Sequence, residues 1–513
     1  MKKSVVDHFA NTVRAHPDKP AIIDGERVIG FAELERQAKA LAAALYRRTF
    51  ASQDTPVIAF YLPKTTACVV GNIACSLSGG AYMNLDVKSP EERLRAVIEN
   101  VRPSLLITDA RHEAAALRFA PDCEVARIED LLLEPQAGDH NALDKARTRL
   151  IDTDLYCLIN TSGSTGVPKS VALNHRSFLD FMDWTALEFD AGLFDRVGSL
   201  SPAIFDIYSF ELCLLLMRGS TLVLIPDTLA PFPVRILELL QRHEVSFIFW
   251  VPSIMVNMAN LGLLEETQLD ALKLCWFAGE VFPTQQFKQW QRALPHTEFV
   301  NLYGPIEITL DCTFYRVRRP LRDDEPIPIG RACDNTDVLL LNEVNQRCAP
   351  GEEGELCVRG SSLALGYYRQ WEKTREAFVQ NPLNDRYPEL IYRTGDIVFL
   401  NQDGEIIYKG RKDSLIKHLG YRIELSEIEH LLINKVRAVR NCCAVYDTAA
   451  REIVLFYEPL PELDERAVRT RLAQELPKYM LPTRYLRESA LPLNSNGKID
   501  RQQLKMRILS GSL

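Results

Sequence analysis

Two observations predict an α/β protein with a large N-terminal domain of helix-covered, mostly parallel sheets and a small α+β domain at the C-terminus. Short apolar runs recur with helix-like stretches between them, and the chain changes character after Arg411-Lys412-Asp413. Residues 57–62, 105–107, 155–159, 221–225, 245–251 and 272–277 are such runs. Runs of three to seven mostly apolar residues without regular polar alternation fit strands buried on both faces, as in a parallel sheet crossed over by helices. Beyond residue 413, residues 427–436 read as a helix, 443–446 and 453–457 as strands, and 466–475 as another helix. The predicted division is 1–411 for a large core and 412–513 for a small domain, which is long enough to fold as a unit.

Composition narrows the classes. A chain of 513 residues exceeds one ordinary hydrophobic core, and its 47% hydrophobic and 25% charged residues are those of a globular protein. Sixty-eight acidic against sixty basic side chains leave a formal charge of −8, so no basic field for nucleic acid is implied. The twelve cysteines contain no C-x-x-C pair, and Cys442-Cys443 are adjacent, which fits reduced thiols. The N-terminus meets acidic and polar residues too early for a signal peptide, and no apolar stretch is long enough to span a bilayer. A cytoplasmic location, without membrane association, is the expectation.

The segment Thr161-Ser-Gly-Ser-Thr-Gly-Val-Pro-Lys169 follows the apolar run at 155–159 and therefore lies at a strand end. Gly163 and Gly166 remove Cβ atoms, Thr161, Ser162, Ser164 and Thr165 supply hydroxyls, and Lys169 adds a positive charge, the chemistry that wraps a polyphosphate. It is not a Walker loop, because Pro168 stands where that motif requires a glycine before the lysine, and proline has no N–H to offer a phosphate.

This loop resembles the signature loop of the adenylate-forming superfamily, which includes acyl-CoA synthetases, luciferases and the adenylation domains of nonribosomal peptide synthesis. Further matches follow in the family's order: Gly79-Gly-Ala-Tyr-Met-Asn-Leu-Asp86, Phe205-Asp206, Asn301-Leu-Tyr-Gly-Pro-Ile-Glu307, Gly354-Glu-Leu-Cys-Val-Arg-Gly360, Tyr392-Arg-Thr-Gly-Asp396, Gly410-Arg-Lys-Asp413, Gly420-Tyr-Arg-Ile-Glu-Leu425 and Asn496-Gly-Lys498. They span nearly the whole chain.

The resemblance implies ATP and Mg²⁺. It assigns ATP to the loop Thr161, Ser162, Gly163, Ser164, Thr165, Gly166 and Lys169, and to Ala278, Gly279, Glu280, Asn301, Leu302, Tyr303 and Gly304. Tyr303 would stack on adenine, Asn301 bond its edge, Asp396 take the ribose hydroxyls, Arg411 pair with ribose and phosphate, and Glu307 hold Mg²⁺. Lys498 matches the catalytic cation that reaches both substrate carboxylate and phosphate, with Lys169 and Thr165 assisting. In the family the small domain is mobile and swings between two half-reactions; Asp413 matches the hinge, and Gly420 the glycine beside which a pantetheine arm passes. One departure is Ile306, which replaces a threonine hydroxyl that would face the α-phosphate.

Asp206 matches the aspartate by which amino-acid-activating members hold the substrate's α-ammonium; a buried carboxylate needs such a partner. The other pocket positions become Ile207, Phe210, Phe249, Trp276, Ala278, Leu302, Leu310 and Asp311, with Lys498 at the carboxylate. Two phenylalanines and a tryptophan imply a small cavity, and Asp311 adds a second carboxylate suited to a substrate hydroxyl or amine. Serine leads, followed by alanine of either hand or a short diamino acid; if Asp311 turns away, the pocket fits alanine or proline. The chain ends fifteen residues after Lys498, leaving no room for a carrier domain, so the expected acceptor is the phosphopantetheine arm of a separate, free-standing carrier protein. The alternatives are an acyl-CoA synthetase acting on a small acid and a degenerate member that binds nucleotide without turnover.

Overall fold

The computed structural model describes residues 4–49, 55–133, 140–161, 168–265, 267–323, 325–412, 415–436, 439–460, 465–492 and 499–510. These fall into two compact units. The first comprises Met1–Val87, Arg102–Ile159 and Val171–Gly410; the second comprises Lys88–Val101, Asn160–Ser170 and Arg411–Leu513. The second thus gathers two segments that chain order alone would place with the core, among them the start of the glycine-rich loop.

The first unit is built on three sheets. In the nine-stranded sheet, six neighbouring strands are parallel, in the order Glu298–Tyr303, Leu274–Phe277, Phe247–Trp250, Arg196–Ser199, Thr221–Leu224 and Pro20–Asp24, with antiparallel strands only at its two edges. A seven-stranded sheet contains Leu155–Thr161, Ala81–Asn84, Val57–Tyr61 and Leu105–Thr108 in parallel. Each of the six apolar runs became a parallel strand, and helices cover the sheets. The residues of Phe247–Trp250 and Leu274–Phe277 are buried throughout, which is why their sequences show no alternation.

The third sheet, of Thr336–Leu341, Gly354–Gly360, Leu390–Leu400, Phe378–Gln380 and Ile406–Arg411, is antiparallel where its pairing is described. Along Leu390–Leu400, buried residues alternate with partly exposed ones, as expected of strands with one solvated face.

In the second unit, Val439–Asp447, Glu452–Pro459 and Arg484–Arg487 form a three-stranded sheet packed by helices Glu465–Glu475 and Arg501–Leu509. The helix expected over 427–436 instead runs Leu425–His430 and continues as a π turn, Leu431–Lys435, closed by Val436 N donating to Leu431 O at 2.8 Å. The wider turn leaves Leu431 and Leu432 buried in the core of this unit.

His175 gives the first unit an acid sensitivity. It opens helix His175–Glu188, is fully buried against Tyr156, and accepts a hydrogen bond from Val5 N at Nδ1. Burial pushes its pKa down to about 4, opposed by Asp7 and Asp152. Between about pH 6.5 and about pH 4 the unfolded chain therefore binds a proton that the folded chain excludes, so stability falls as pH drops through that window. His175→Gln is expected to flatten the decline in Tm between pH 7 and pH 5, read by thermal melts; an unchanged slope would rule this source out.

Candidate active site

The six central strands are parallel, so the segments following Ser199, Trp250, Phe277 and Tyr303 emerge at one edge of the nine-stranded sheet. Open α/β sheets bind ligands at that edge.

Strand Glu298–Tyr303 carries Asn301, Leu302 and Tyr303, all buried. Asn301 Nδ2 donates to Pro328 O at 2.8 Å, which orients the amide. The Tyr303 hydroxyl donates to Asp396 Oδ2 at 2.5 Å, a charge-assisted bond. Burial, and then the Asp396 charge, push the Tyr303 pKa well above its ordinary value, so the phenol keeps its proton. The two residues assigned to adenine and ribose are therefore bonded to each other. Asp396 lies on strand Leu390–Leu400 and also receives its place from its own N–H donating to Thr394 Oγ1.

After Tyr303 the chain folds back sharply. A Cβ on Gly304 would lie 2.3 Å from Leu310 O and 2.5 Å from the Asp311 Cα, so only glycine allows this approach. The short helix Ile306–Ile308 ends in two consecutive left-handed residues, Thr309 at φ 57° and Leu310 at φ 64°. Such backbone costs roughly 1–3 kcal/mol per residue and marks a turn held by its surroundings. The turn buries Glu307 completely, with the Tyr367 hydroxyl donating to Oε1 at 2.7 Å, and buries Asp311. The Thr309 hydroxyl is buried with no hydrogen-bond partner among the described residues. Ile306 packs its side chain on the hydrophobic core. No cluster of three or more His, Cys, Asp or Glu suited to a metal occurs among the described residues. Glu307 is a carboxylate oxygen donor of the hard type that a Mg²⁺ would take, and it would hold the ion beside its bond from Tyr367.

Ala278, Gly279 and Glu280 follow strand Leu274–Phe277. Gly279 has φ 91°, open to glycine, and Glu280 Oε2 accepts Ser253 N at 2.9 Å, capping the first turn of helix Pro252–Asn260.

Asp206 is the first residue of helix Asp206–Arg218, where the helix dipole favours a carboxylate, and its Oδ1 accepts Ile207 N at 3.0 Å. Ile207 is buried behind it. Phe210, one turn on, stacks on Trp276 with centroids 5.4 Å apart, and Phe249 meets the same indole edge-on at 5.5 Å. Phe210, Phe249 and Trp276 have no solvent-exposed surface. The Trp276 indole N–H has no hydrogen-bond partner among the described residues.

In the second unit, Lys169 Nζ and Glu424 Oε1 form an ion pair at 2.8 Å, with side chains 15% and 9% exposed. Three residues on, the buried Glu427 pairs with Arg93 at 2.5 Å. The Thr161 hydroxyl is buried without a partner among the described residues, and Ser170 Oγ donates to Asn160 Oδ1. Gly420 sits at φ 81° in the turn before strand Tyr421–Glu424, and Arg411 ends strand Ile406–Arg411. Ser162, Gly163, Ser164, Thr165, Gly166, Asp413 and Lys498 lie outside the described residues.

Residues 9–368 match the family model of the AMP-binding enzymes. The chain belongs to that family. Among relatives of this AMP-binding enzyme, the L-proline--[L-prolyl-carrier protein] ligase of Streptomyces coelicolor is 30% identical over 98% of this chain and 96% of its own length. Tyrocidine synthase 3 of Brevibacillus parabrevis is 31% identical over 98% of this chain, which spans only 8% of that synthase. The fold is that of the Vibrio cholerae adenylation domain AlmE, solved in complex with glycyl-adenosine-5'-phosphate: TM-score 0.84 at 22% identity, covering 99% of this chain and 98% of that one.

Two partners of the site residues escaped the sequence. Glu424 lies inside the quoted motif Gly420 to Leu425, and Tyr367 follows Gly366; neither spacing announces which cation or carboxylate it will meet. Among the described residues, no helix of this AMP-binding enzyme is long and apolar enough to cross a membrane, and its twelve cysteines are free.

Proposed function

We propose that the chain activates a small α-amino acid with ATP and then loads it on a carrier protein. In the first step a substrate carboxylate oxygen attacks the α-phosphorus, the bond to the β-phosphate breaks, and pyrophosphate leaves with aminoacyl-AMP formed. In the second, a phosphopantetheine thiolate attacks the acyl carbon and AMP leaves. The observation that supports this best is the placement of Asp206, Ala278–Glu280 and the Asn301–Asp311 turn on segments that follow neighbouring parallel strands at one sheet edge. The family match and the similarity to the prolyl-carrier ligase over nearly its full length point the same way.

Under this proposal Tyr303 and Asn301 address adenine, Asp396 the ribose, and Glu307 the Mg²⁺, which neutralises phosphate charge when bound. Lys169 and Thr165 act on the phosphates with Thr161, Ser162, Gly163, Ser164 and Gly166, while Lys498 and Arg411 supply further positive charge. Since Lys169 is held by Glu424 here, the polyphosphate has to compete with that carboxylate. Asp206 takes the ammonium. The packed ring cluster around Trp276 supports a short substrate side chain, and the second carboxylate, Asp311, supports a hydroxyl on it. Serine is the first choice, alanine the second.

The test supplies ATP, Mg²⁺ and radiolabelled serine or alanine with either a panel of phosphopantetheinylated carrier proteins or free coenzyme A. Thioester on a carrier protein is expected. Aminoacyl- or acyl-CoA formed with no carrier labelled would overturn the second step in favour of an acyl-CoA synthetase.

A further inference from the structure

The loop that delivers Asp206 is held at alternate carbonyls by side chains from elsewhere in the first unit, the half-buried Lys64 and the buried Asn84. Lys64 Nζ donates to Ser199 O at 2.7 Å and to Ser201 O at 2.9 Å. Asn84 Nδ2 donates to Ala203 O at 2.9 Å. The donors are themselves fixed. Asn84 and Asn72 exchange two amide hydrogen bonds, of 2.9 and 3.1 Å, and the Tyr208 hydroxyl donates to Asn72 Oδ1 at 3.0 Å. The Ser199 hydroxyl donates to Glu211 Oε2 at 2.5 Å. Tyr208 and Glu211 belong to the same helix that Asp206 begins. Asn72, Asn84, Tyr208, Ser199 and Glu211 are all buried.

The amides of Asn72 and Asn84 are paired, whereas Glu211 Oε1 has no hydrogen-bond partner among the described residues; a buried network of this kind fixes one geometry rather than adding much net stability. Here the geometry fixed is that of three carbonyls within seven residues of Asp206. We propose that Asn84, with Lys64, is a positioning residue for amino-acid recognition: it clamps the 199–205 loop through Ala203 and so sets where the Asp206 carboxylate stands. This rests on the reading of Asp206 as the ammonium anchor. Asn84 lies in the motif Gly79 to Asp86, to which the proposed reaction assigned no role.

The experiment compares kcat/KM in ATP/pyrophosphate exchange for alanine against propionate and serine against 3-hydroxypropionate. It uses the parent protein, Asn84→Leu, Tyr208→Phe and Asp206→Asn. Asn84→Leu keeps the branching and heavy-atom count of the side chain but removes both donor bonds; it is expected to lower the amino-over-desamino ratio about tenfold and raise the amino-acid KM, with the ATP KM within about twofold of the parent. Tyr208→Phe, which removes a single hydroxyl, is expected to shift the ratio in the same direction by about threefold, and decides the matter if Asn84→Leu fails to fold. A merely structural role would alter both KM values together and leave the ratio unchanged. If Asp206→Asn collapses the ratio while Asn84→Leu and Tyr208→Phe keep it, the positioning role is overturned alone. If Asp206→Asn itself keeps it, the ammonium reading falls and the positioning role with it.

Discussion

Asp206→Ala is expected to cost about 10- to 100-fold in kcat/KM for the amino-acid substrate and almost nothing for its desamino analogue. That span corresponds to the ~1.5–3 kcal/mol of a hydrogen bond to a charged group. The carboxylate starts helix Asp206–Arg218, where the backbone favours negative charge, which suits it to a substrate ammonium. The loss should appear in KM for the amino acid and leave the ATP KM unmoved, because ATP is assigned to other segments. Equal losses for both acids would show that Asp206 supports the fold and not the ammonium.

Lys498→Ala should divide the two half-reactions. Attack on the α-phosphorus builds charge on the phosphoryl oxygens and the leaving pyrophosphate, and a cation placed there contributes about 10²- to 10³-fold. Aminoacyl-AMP formation, followed by pyrophosphate release, is therefore expected to fall by that factor. Transfer from presupplied aminoacyl-AMP to a carrier thiol should survive, since that step breaks an acyl–phosphate bond whose leaving group is already activated. Equal loss of both half-reactions would contradict the assignment of Lys498 to the first.

Much of the parallel architecture was legible because its strands are buried on both faces: within the runs 245–251 and 272–277, the strand residues 247–250 and 274–277 have no polar residue to blur the signal. The antiparallel sheet from Thr336 to Arg411 left a weaker trace, since a strand such as Leu390–Leu400 mixes buried and half-exposed positions with Arg393, Thr394 and Asp396. The π turn at Leu431–Lys435 had no trace at all; it accompanies the burial of Leu431 and Leu432, and such packing depends on partners far away in the chain.

The site follows the same physical line. The demand for glycine at 304 was not readable: the resemblance gave Gly304 as a nucleotide position, whereas the structure sets it by the close approach of Leu310 O. Long-range pairings were not readable either: Tyr303 finds Asp396 across 93 residues, Lys169 finds Glu424 across 255, and Asn84 finds the Ala203 carbonyl across 119. No local pattern encodes such a distance. These pairings bear on the proposed roles, since Asp396 and Lys169 already hold protein partners that ribose and phosphate, under the proposed reading, join or displace.

The most direct measurement is amino-acid-dependent ATP/pyrophosphate exchange over both enantiomers of serine, alanine and proline, with 2,3-diaminopropionate, β-alanine and a short fatty acid. Strong, saturable exchange with one small α-amino acid, serine foremost, is the expected result. Exchange confined to acids without an α-amine, or none across the whole panel, would contradict amino-acid activation by this chain.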